Sequence, residues 1–440
     1  MSASMERVPN PQYLARGQKR PERDQQNKVS YSVPVVAFLL LSAMILLNLN
    51  GAVSMAYGID RAFSIVMLAL IGIVILAYPS DIKPALGRPG KLYLLSLGSY
   101  LAISALVRVS SYRYFSQPFW ETYQIYLSTF PIILVFAVVG FRFARRGQLE
   151  WVSWRFWTLA VVGISSVYLS RAVPSLYRYA TFSRAEYRYS GFFANPNEAG
   201  LAGCMALALG LGWLASGRKP LQVVIGIAIL SGAIVLTFSR ASLLLLVALL
   251  GLGAYWSPQV LKGRGKIAMF VVTSCMVALL GWFIFRGANR IGGLEELQRQ
   301  RVDDIATLAT QGDLNDDTTG GRLSLAREGI DLFLEAPLWG VGFGALRRMP
   351  GVGLGVHNTL ILVIGESGIL PGVLFLCTFY IWGRTAWRCP ERVTRLSSIG
   401  ALLVLGVAFM VGHNVLEDRF LGAFLGLSFG SLSGAHRNEG

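Results

Sequence analysis

Three residue types in this 440-residue chain stand where chemistry could be done at the edge of an apolar phase: a histidine, a few arginines and the asparagines beside them. His357 is one of only three histidines, and with Asn358 it opens the apolar run VHNTLILVIGESGILPG. A neutral imidazole near pH 7 can take a proton from a hydroxyl, the work of a general base; a histidine that only caps a helix reads the same way in isolation. Glu366, some two turns further along that run, can orient a partner or pair with a buried arginine. Arg240, in LTFSRAS, lies between two apolar runs with almost no loop, so its charge sits near the outer edge of the hydrocarbon. Ionisable groups at that depth are functional candidates, with snorkelling to lipid phosphate as the plain alternative. Arg188 begins RYSGFFANPNEAG, in which Asn195, Pro196 and Asn197 make a turn just before another apolar run. A helix mouth beside an arginine is an anion site, although Asn-Pro-Asn is also an ordinary turn and cap.

The elements that must position these residues are membrane helices. Apolar residues make up 54% of the chain and charged ones 15%, with a mean hydropathy of +0.52, more than a soluble core can absorb. A bilayer span needs roughly 20 apolar residues. Runs near that length are read at 34–56, 62–78, 92–107, 124–141, 156–170, 199–216, 220–237, 241–256, 267–285, 358–382, 397–412 and 420–433. The expectation is an all-α integral membrane protein of about 12 transmembrane helices, with a long outer loop, 286–357, between the ninth and tenth. The first run follows a polar stretch without a small-x-small cleavage site, so it reads as a retained helix rather than a signal peptide. Residues 1–32 read as a disordered basic tail, 33–433 as the polytopic membrane domain and 434–440 as a second tail.

Basic residues fix the expected orientation, because Lys and Arg accumulate on the cytoplasmic side. With both termini inside, the inner segments hold about 23 of the 40 basic residues and all seven lysines, against about 7 of the 24 acidic residues. The net charge of +16 then records topology and contact with membrane lipids rather than nucleic acid. Every outer basic residue, about 17 of them, is an arginine. The guanidinium is planar, two-pronged and weakly hydrated, which suits a pyrophosphate near the bilayer; pairing with outer carboxylates is the alternative.

Other features read as structural. Leu323, Ala326, Ile330 and Phe333 recur at helical spacing over Arg322–Leu334, a stretch ended by Pro337 and GVGFG, so an amphipathic helix on the membrane surface is expected. Gly422, Gly426 and Gly430 form a small-xxx-small ridge for internal helix packing, with a dimer interface as the lesser reading. His413, Asn414, Glu417, Asp418 and Arg419 form a second polar cluster, read as structural. Asp313, Asn315, Asp316 and Asp317 lack the later glutamate of a calcium loop, the histidines do not cluster, and Cys204, Cys275, Cys377 and Cys389 show no Cys-x-x-Cys spacing, so no metal site and no disulfide is expected.

RYSGFFANPNEAG, LTFSRAS, GGRLSLAREGIDLFLEAPLWGVGFG and VHNTLILVIGESGILPG, in that order and on one expected face, resemble the bacterial O-antigen ligase and O-antigen polymerase superfamily over roughly 185–425. The resemblance implies a GT-C-like, metal-independent inverting glycosyltransferase of the bacterial inner membrane that needs no cofactor. Its donor would be an undecaprenyl-pyrophosphate-linked glycan on the periplasmic side, and its acceptor lipid A core or a second lipid-linked glycan. Carried over by motif, Arg188, Arg240 and Arg322 would bind phosphate and His357 would activate the acceptor hydroxyl. Asn195, Asn197, Asn358 and Glu366 are the further substrate-binding candidates. One dominant outer loop preceding the histidine favours ligase over polymerase. A twelve-helix transporter or flippase would need polar residues along a path through both leaflets, whereas here they gather at one face; a scaffold would leave the outer arginines unexplained.

Overall fold

In a phase without water each backbone N–H and C=O needs an internal partner, and a helix supplies it within one segment. The apolar runs fold accordingly in this computed structural model, which describes residues 31–49, 60–110, 119–173, 189–193, 195–217, 219–260, 322–347, 355–412 and 415–437. Among these residues there is no strand. The helices are α1 (Val33–Leu46), α2 (Asp60–Ala77), α3 (Gly87–Ser110), α4 (Phe119–Arg145), α5 (Leu149–Ala172), α6 (Pro196–Ser216), α7 (Pro220–Leu236), α8 (Arg240–Val260), α9 (Arg322–Glu335), α10 (Thr359–Ser367), α11 (Ile369–Trp387), α12 (Arg392–Val411) and α13 (Arg419–Arg437), with a short helical turn at Pro79–Ala85 after α2. Val33–Gly440 forms one compact unit; Met1–Ser32 is a separate one, of which only Tyr31 and Ser32 are described.

The protein is an all-α, multi-pass membrane protein, although helix length and composition give fewer spans than the expected dozen. Six described helices are long and apolar enough to cross a membrane, or seven if α2 and the turn after it, bent by 82°, count as one broken span. Eleven of the twelve apolar runs fall on helices, and 267–285 lies outside the described residues. The shortfall has local causes. At about 1.5 Å per residue, the 14 residues of α1 reach only about two thirds of a 30 Å hydrocarbon core. Glycine and serine dilute the hydropathy of α13. The continuous helix expected over 358–382 is in fact two, because Gly368, at φ +78, ends α10 and its amide closes onto Ile364 O. Ile369 N then donates to Pro337 O at 2.9 Å, which pins the break to the turn after α9.

Helix α6 is the central element, with 94% of its apolar window buried. The glycine ridge on α13 packs inside the chain. A Cβ at Gly430 would overlap the Ala137 carbonyl oxygen of α4, and one at Gly426 the Ile133 carbonyl oxygen, so the two backbones touch. Gly430→Leu should therefore separate α13 from α4 and cost on the order of 3 kcal/mol, read as a drop in unfolding temperature. Gly98→Ala, with open space around its Cβ position, serves as the unaffected control.

The amphipathic helix forms as α9, but with its face turned. Leu325 (3% exposed) and Gly329 are buried, with Leu332 packed beside them against Leu346, Val356 and Ile361, while Leu323 and Ile330 of the expected stripe are exposed. Gly329 explains the rotation. A Cβ there would stand 2.9 Å from both Ile361 and Val356, so only a glycine lets α9 sit this close to α10.

Candidate active site

The mouth of α6 is built by its own sequence. Asn195 is extended (φ −149, ψ 158), its side-chain oxygen accepts from Glu198 N at 2.9 Å, and Pro196 occupies the first helical position, where no N–H is needed. The preceding turn is tied down on two sides. Phe192 N donates to Ser166 Oγ of α5 at 3.0 Å, and Asn48 Nδ2, just after α1, donates to Phe192 O at 2.7 Å.

Helix α8 begins beside it. Only Thr237, Phe238 and Ser239 separate α7 from α8, and Phe238 makes the reversal by adopting φ +48, a left-handed conformation unusual for a bulky residue. Ser239 N donates to Thr237 Oγ1 at 3.3 Å, and the Ser239 and Ser242 hydroxyls lie 3.0 Å apart. Arg240 thus becomes the first residue of α8, at the end of a membrane helix as the sequence implies.

Two further helix starts complete the arrangement. Asn358 caps α10 by accepting from Ile361 N at 3.0 Å, and Thr359 Oγ1 donates to Gly412 O at the end of α12. On the other side of His357, Val356 N donates to Leu346 O at 2.8 Å. Asp418 caps α13 by accepting from Phe420 N (2.8 Å) and Leu421 N (3.1 Å), and Arg419 begins that helix with Nη1 3.9 Å from Met67 Sδ of α2.

The starts of α6, α8 and α13, with His357 just before α10, open into one cavity of about 550 Å³. Its polar wall carries Asn195, Asn197, Glu198, Arg240, His357, Glu417, Asp418 and Arg419; its apolar flank includes Met44 and Ile45 of α1, Met67 of α2, Ile125 of α4 and Leu201 of α6. Each helix start contributes partial positive charge from its first-turn amides, so three of them around one space, with two arginines, favour an anion. The carboxylates are moderated. Arg347 Nη1 lies 3.5 Å from Glu417 Oε2, and burial still pushes that carboxyl above its usual range. Burial raises the Asp418 carboxyl to about 6, against the opposing hydrogen bonds from Leu421 and Phe420.

Of the residues singled out from the sequence, the cavity gathers Asn195, Asn197, Arg240 and His357. Asn358 caps α10 next to it. Arg322 is the first residue of α9, and its side chain lies outside the described residues, as do Arg188, His413, Asn414, Cys275 and the acidic stretch 313–317. Among the described cysteines, Cys204, Cys377 and Cys389 are free thiols. Glu366 is absent from the cavity wall; it is fully buried behind it. Glu417, Asp418 and Arg419, read from the sequence as a separate structural cluster, face the same cavity as His357. Sequence reasoning missed Glu198 and Arg347 altogether, although the Asn-Pro-x-Glu spacing of a capping box was a usable signal for the first.

A search among curated proteins finds no match to this chain. The O-antigen ligase family model matches residues 225–377, about a third of the chain, an interval that includes Arg240, Arg322, His357 and Glu366. By that match this segment of the chain is similar to the O-antigen ligase family.

Proposed function

We propose that the protein transfers a glycan from undecaprenyl pyrophosphate to an acceptor hydroxyl on the periplasmic face of the inner membrane, as an O-antigen ligase acting on lipid A core. The observation that carries this reading is the cavity itself: Arg240, His357 and three helix starts share one space whose other flank is apolar. A lipid-linked pyrophosphate has the same division, with an anion that suits the helix starts and a prenyl chain that suits Met44, Ile45 and Met67.

The donor already carries its leaving group, so the protein must hold the anion, align the acceptor and remove one proton. His357 accepts the proton of the acceptor hydroxyl. The oxygen attacks the anomeric carbon from the face opposite the pyrophosphate, the carbon–oxygen bond to phosphate breaks, and its electron pair leaves with the diphosphate, inverting the configuration. Arg240, with Arg188 and Arg322, stabilises the charge that develops there, each charge-assisted contact contributing ~1.5–3 kcal/mol.

Purified protein in lipid nanodiscs, given the lipid-linked donor and either lipid A core or a second lipid-linked glycan, tests the reading. Product on lipid A core supports the ligase, product only on the second lipid-linked glycan makes the protein a polymerase, and no product with either refutes the transferase. The orientation is tested separately. Reporter fusions at Arg23 and Asp313 should report opposite compartments, with Arg23 inside; the same compartment for both would refute the topology and the periplasmic site together.

A further inference from the structure

Glu366 is a fully buried carboxylate that the proposed chemistry leaves unused, and its contacts lead to the cavity from behind. Its Oε1 accepts from Gly344 N at 2.8 Å and from Leu346 N at 3.3 Å, and its Oε2 accepts from the Tyr100 hydroxyl of α3 at 2.7 Å. The main chain continues the contact, because Gly342 N donates to Glu366 O at 3.0 Å and Val341 N to Gly365 O at 2.8 Å. Arg108 of α3 holds the same turn by donating to Phe343 O at 2.7 Å. The glycine-rich turn 340–347 is thus wrapped around one side chain that no solvent reaches.

Two parts of the cavity wall hang on that turn. Leu346 O accepts from Val356 N at 2.8 Å, one residue before His357. Arg347 donates to the Tyr126 hydroxyl and lies 3.5 Å from Glu417, a residue of the wall. A buried acceptor serving two amides and a hydroxyl fixes a turn that its three-glycine sequence would otherwise leave loose.

We propose that Glu366 is a positioning residue: it clamps the turn 340–347 and through it holds His357 and the Arg347–Glu417 pair at their places on the cavity wall. The inference rests on the reading of His357 as the base, but the clamp itself is testable without turnover.

Two substitutions in the full-length protein in nanodiscs separate the possibilities. Glu366→Gln keeps an oxygen for the two amides and a polar group beside Tyr100; Glu366→Leu keeps the volume and removes every acceptor. Glu366→Leu should lower kcat on the order of 100-fold, the effect of a catalytic group displaced by about an ångström, with KM for the lipid-linked donor changed by less than about threefold. Glu366→Gln should stay within about threefold of wild type in kcat, since the hydrogen-bond geometry survives. Amide hydrogen exchange over 341–347 and 355–358 should quicken in Glu366→Leu and not in Glu366→Gln. Glu366→Gln as inactive as Glu366→Leu would make the charge or proton essential and overturn the positioning role, and unchanged exchange in Glu366→Leu would overturn the clamp. If Glu366→Leu fails to fold, Tyr100→Phe carries the test: faster exchange at 341–347 with a several-fold lower kcat supports the clamp, and neither change overturns it. A wild-type protein without transferase activity would refute the proposed function yet leave the exchange comparison standing.

Discussion

Arg240→Ala should abolish glycan transfer, by at least about 100-fold in kcat/KM, while the protein still inserts and folds. Arg240 is the first residue of α8, and no acidic residue occupies the first turn of that helix. A cation at a helix start opposes the helix dipole, at a cost of ~0.3–1 kcal/mol, and adds to the positive charge that can hold an anion there. Arg419 at the start of α13 and Arg322 at the start of α9 repeat the arrangement. Arg240→Lys should restore little activity, because an ammonium cannot make the two parallel contacts of a guanidinium with phosphate. The measurements are transfer by the purified variants and their unfolding temperatures with and without the lipid-linked donor. Wild-type protein should gain in unfolding temperature on adding donor, and Arg240→Ala should gain much less. An Arg240→Ala protein that loses activity and stability together would make Arg240 a structural residue, and full activity in Arg240→Lys would mean that charge alone suffices there.

The helices were legible because apolar runs of membrane length have few other fates, and eleven of the twelve expected runs fall on helices. The break at Gly368 was not, since the run 358–382 reads as one helix and the contact of Ile369 N with Pro337 O, from a residue thirty-one positions before Gly368, shows only in the fold. The same division runs through the site. Arg240, His357, Asn195 and Asn197 stand out by residue type and by place at the ends of apolar runs, and the packing of the helices brings them to one cavity. Glu417, Asp418 and Arg419 are separated from His357 by three helices, and their meeting depends on how α12 and α13 return to the mouth of α10. Glu366 shows the limit most plainly. Its place two turns into an apolar run marks it as unusual, but only the fold reveals that a glycine-rich turn closes over it and that its partners are amides and Tyr100 rather than substrate.

His357→Ala should separate chemistry from binding. If the imidazole is the base, its removal costs about 10²–10⁴-fold in turnover, while the lipid-linked donor still binds because Arg240, Arg419 and the helix starts remain. Asn358 caps α10 independently and Val356 keeps its bond to Leu346 O, so the variant should fold. The rate of the wild type should fall as pH drops into the acid range, since a protonated ring cannot accept the hydroxyl proton. The cavity holds other titratable groups, Glu198, Glu417 and Asp418, and the Asp418 carboxyl, raised to about 6, changes charge in the same interval. Asp418→Asn distinguishes them. It keeps an oxygen to cap Phe420 N and Leu421 N, so the acid limb of the profile should survive in Asp418→Asn if it belongs to His357 and vanish if it belongs to Asp418. A chelator such as EDTA should leave the rate unchanged, because the proposed mechanism gives the proton to imidazole and the leaving charge to arginine. Near-normal turnover in His357→Ala would reduce the residue to a neighbour of the α10 cap, and the proton would then have to pass to another group on the same wall, with Glu417 and Asp418 the first to substitute.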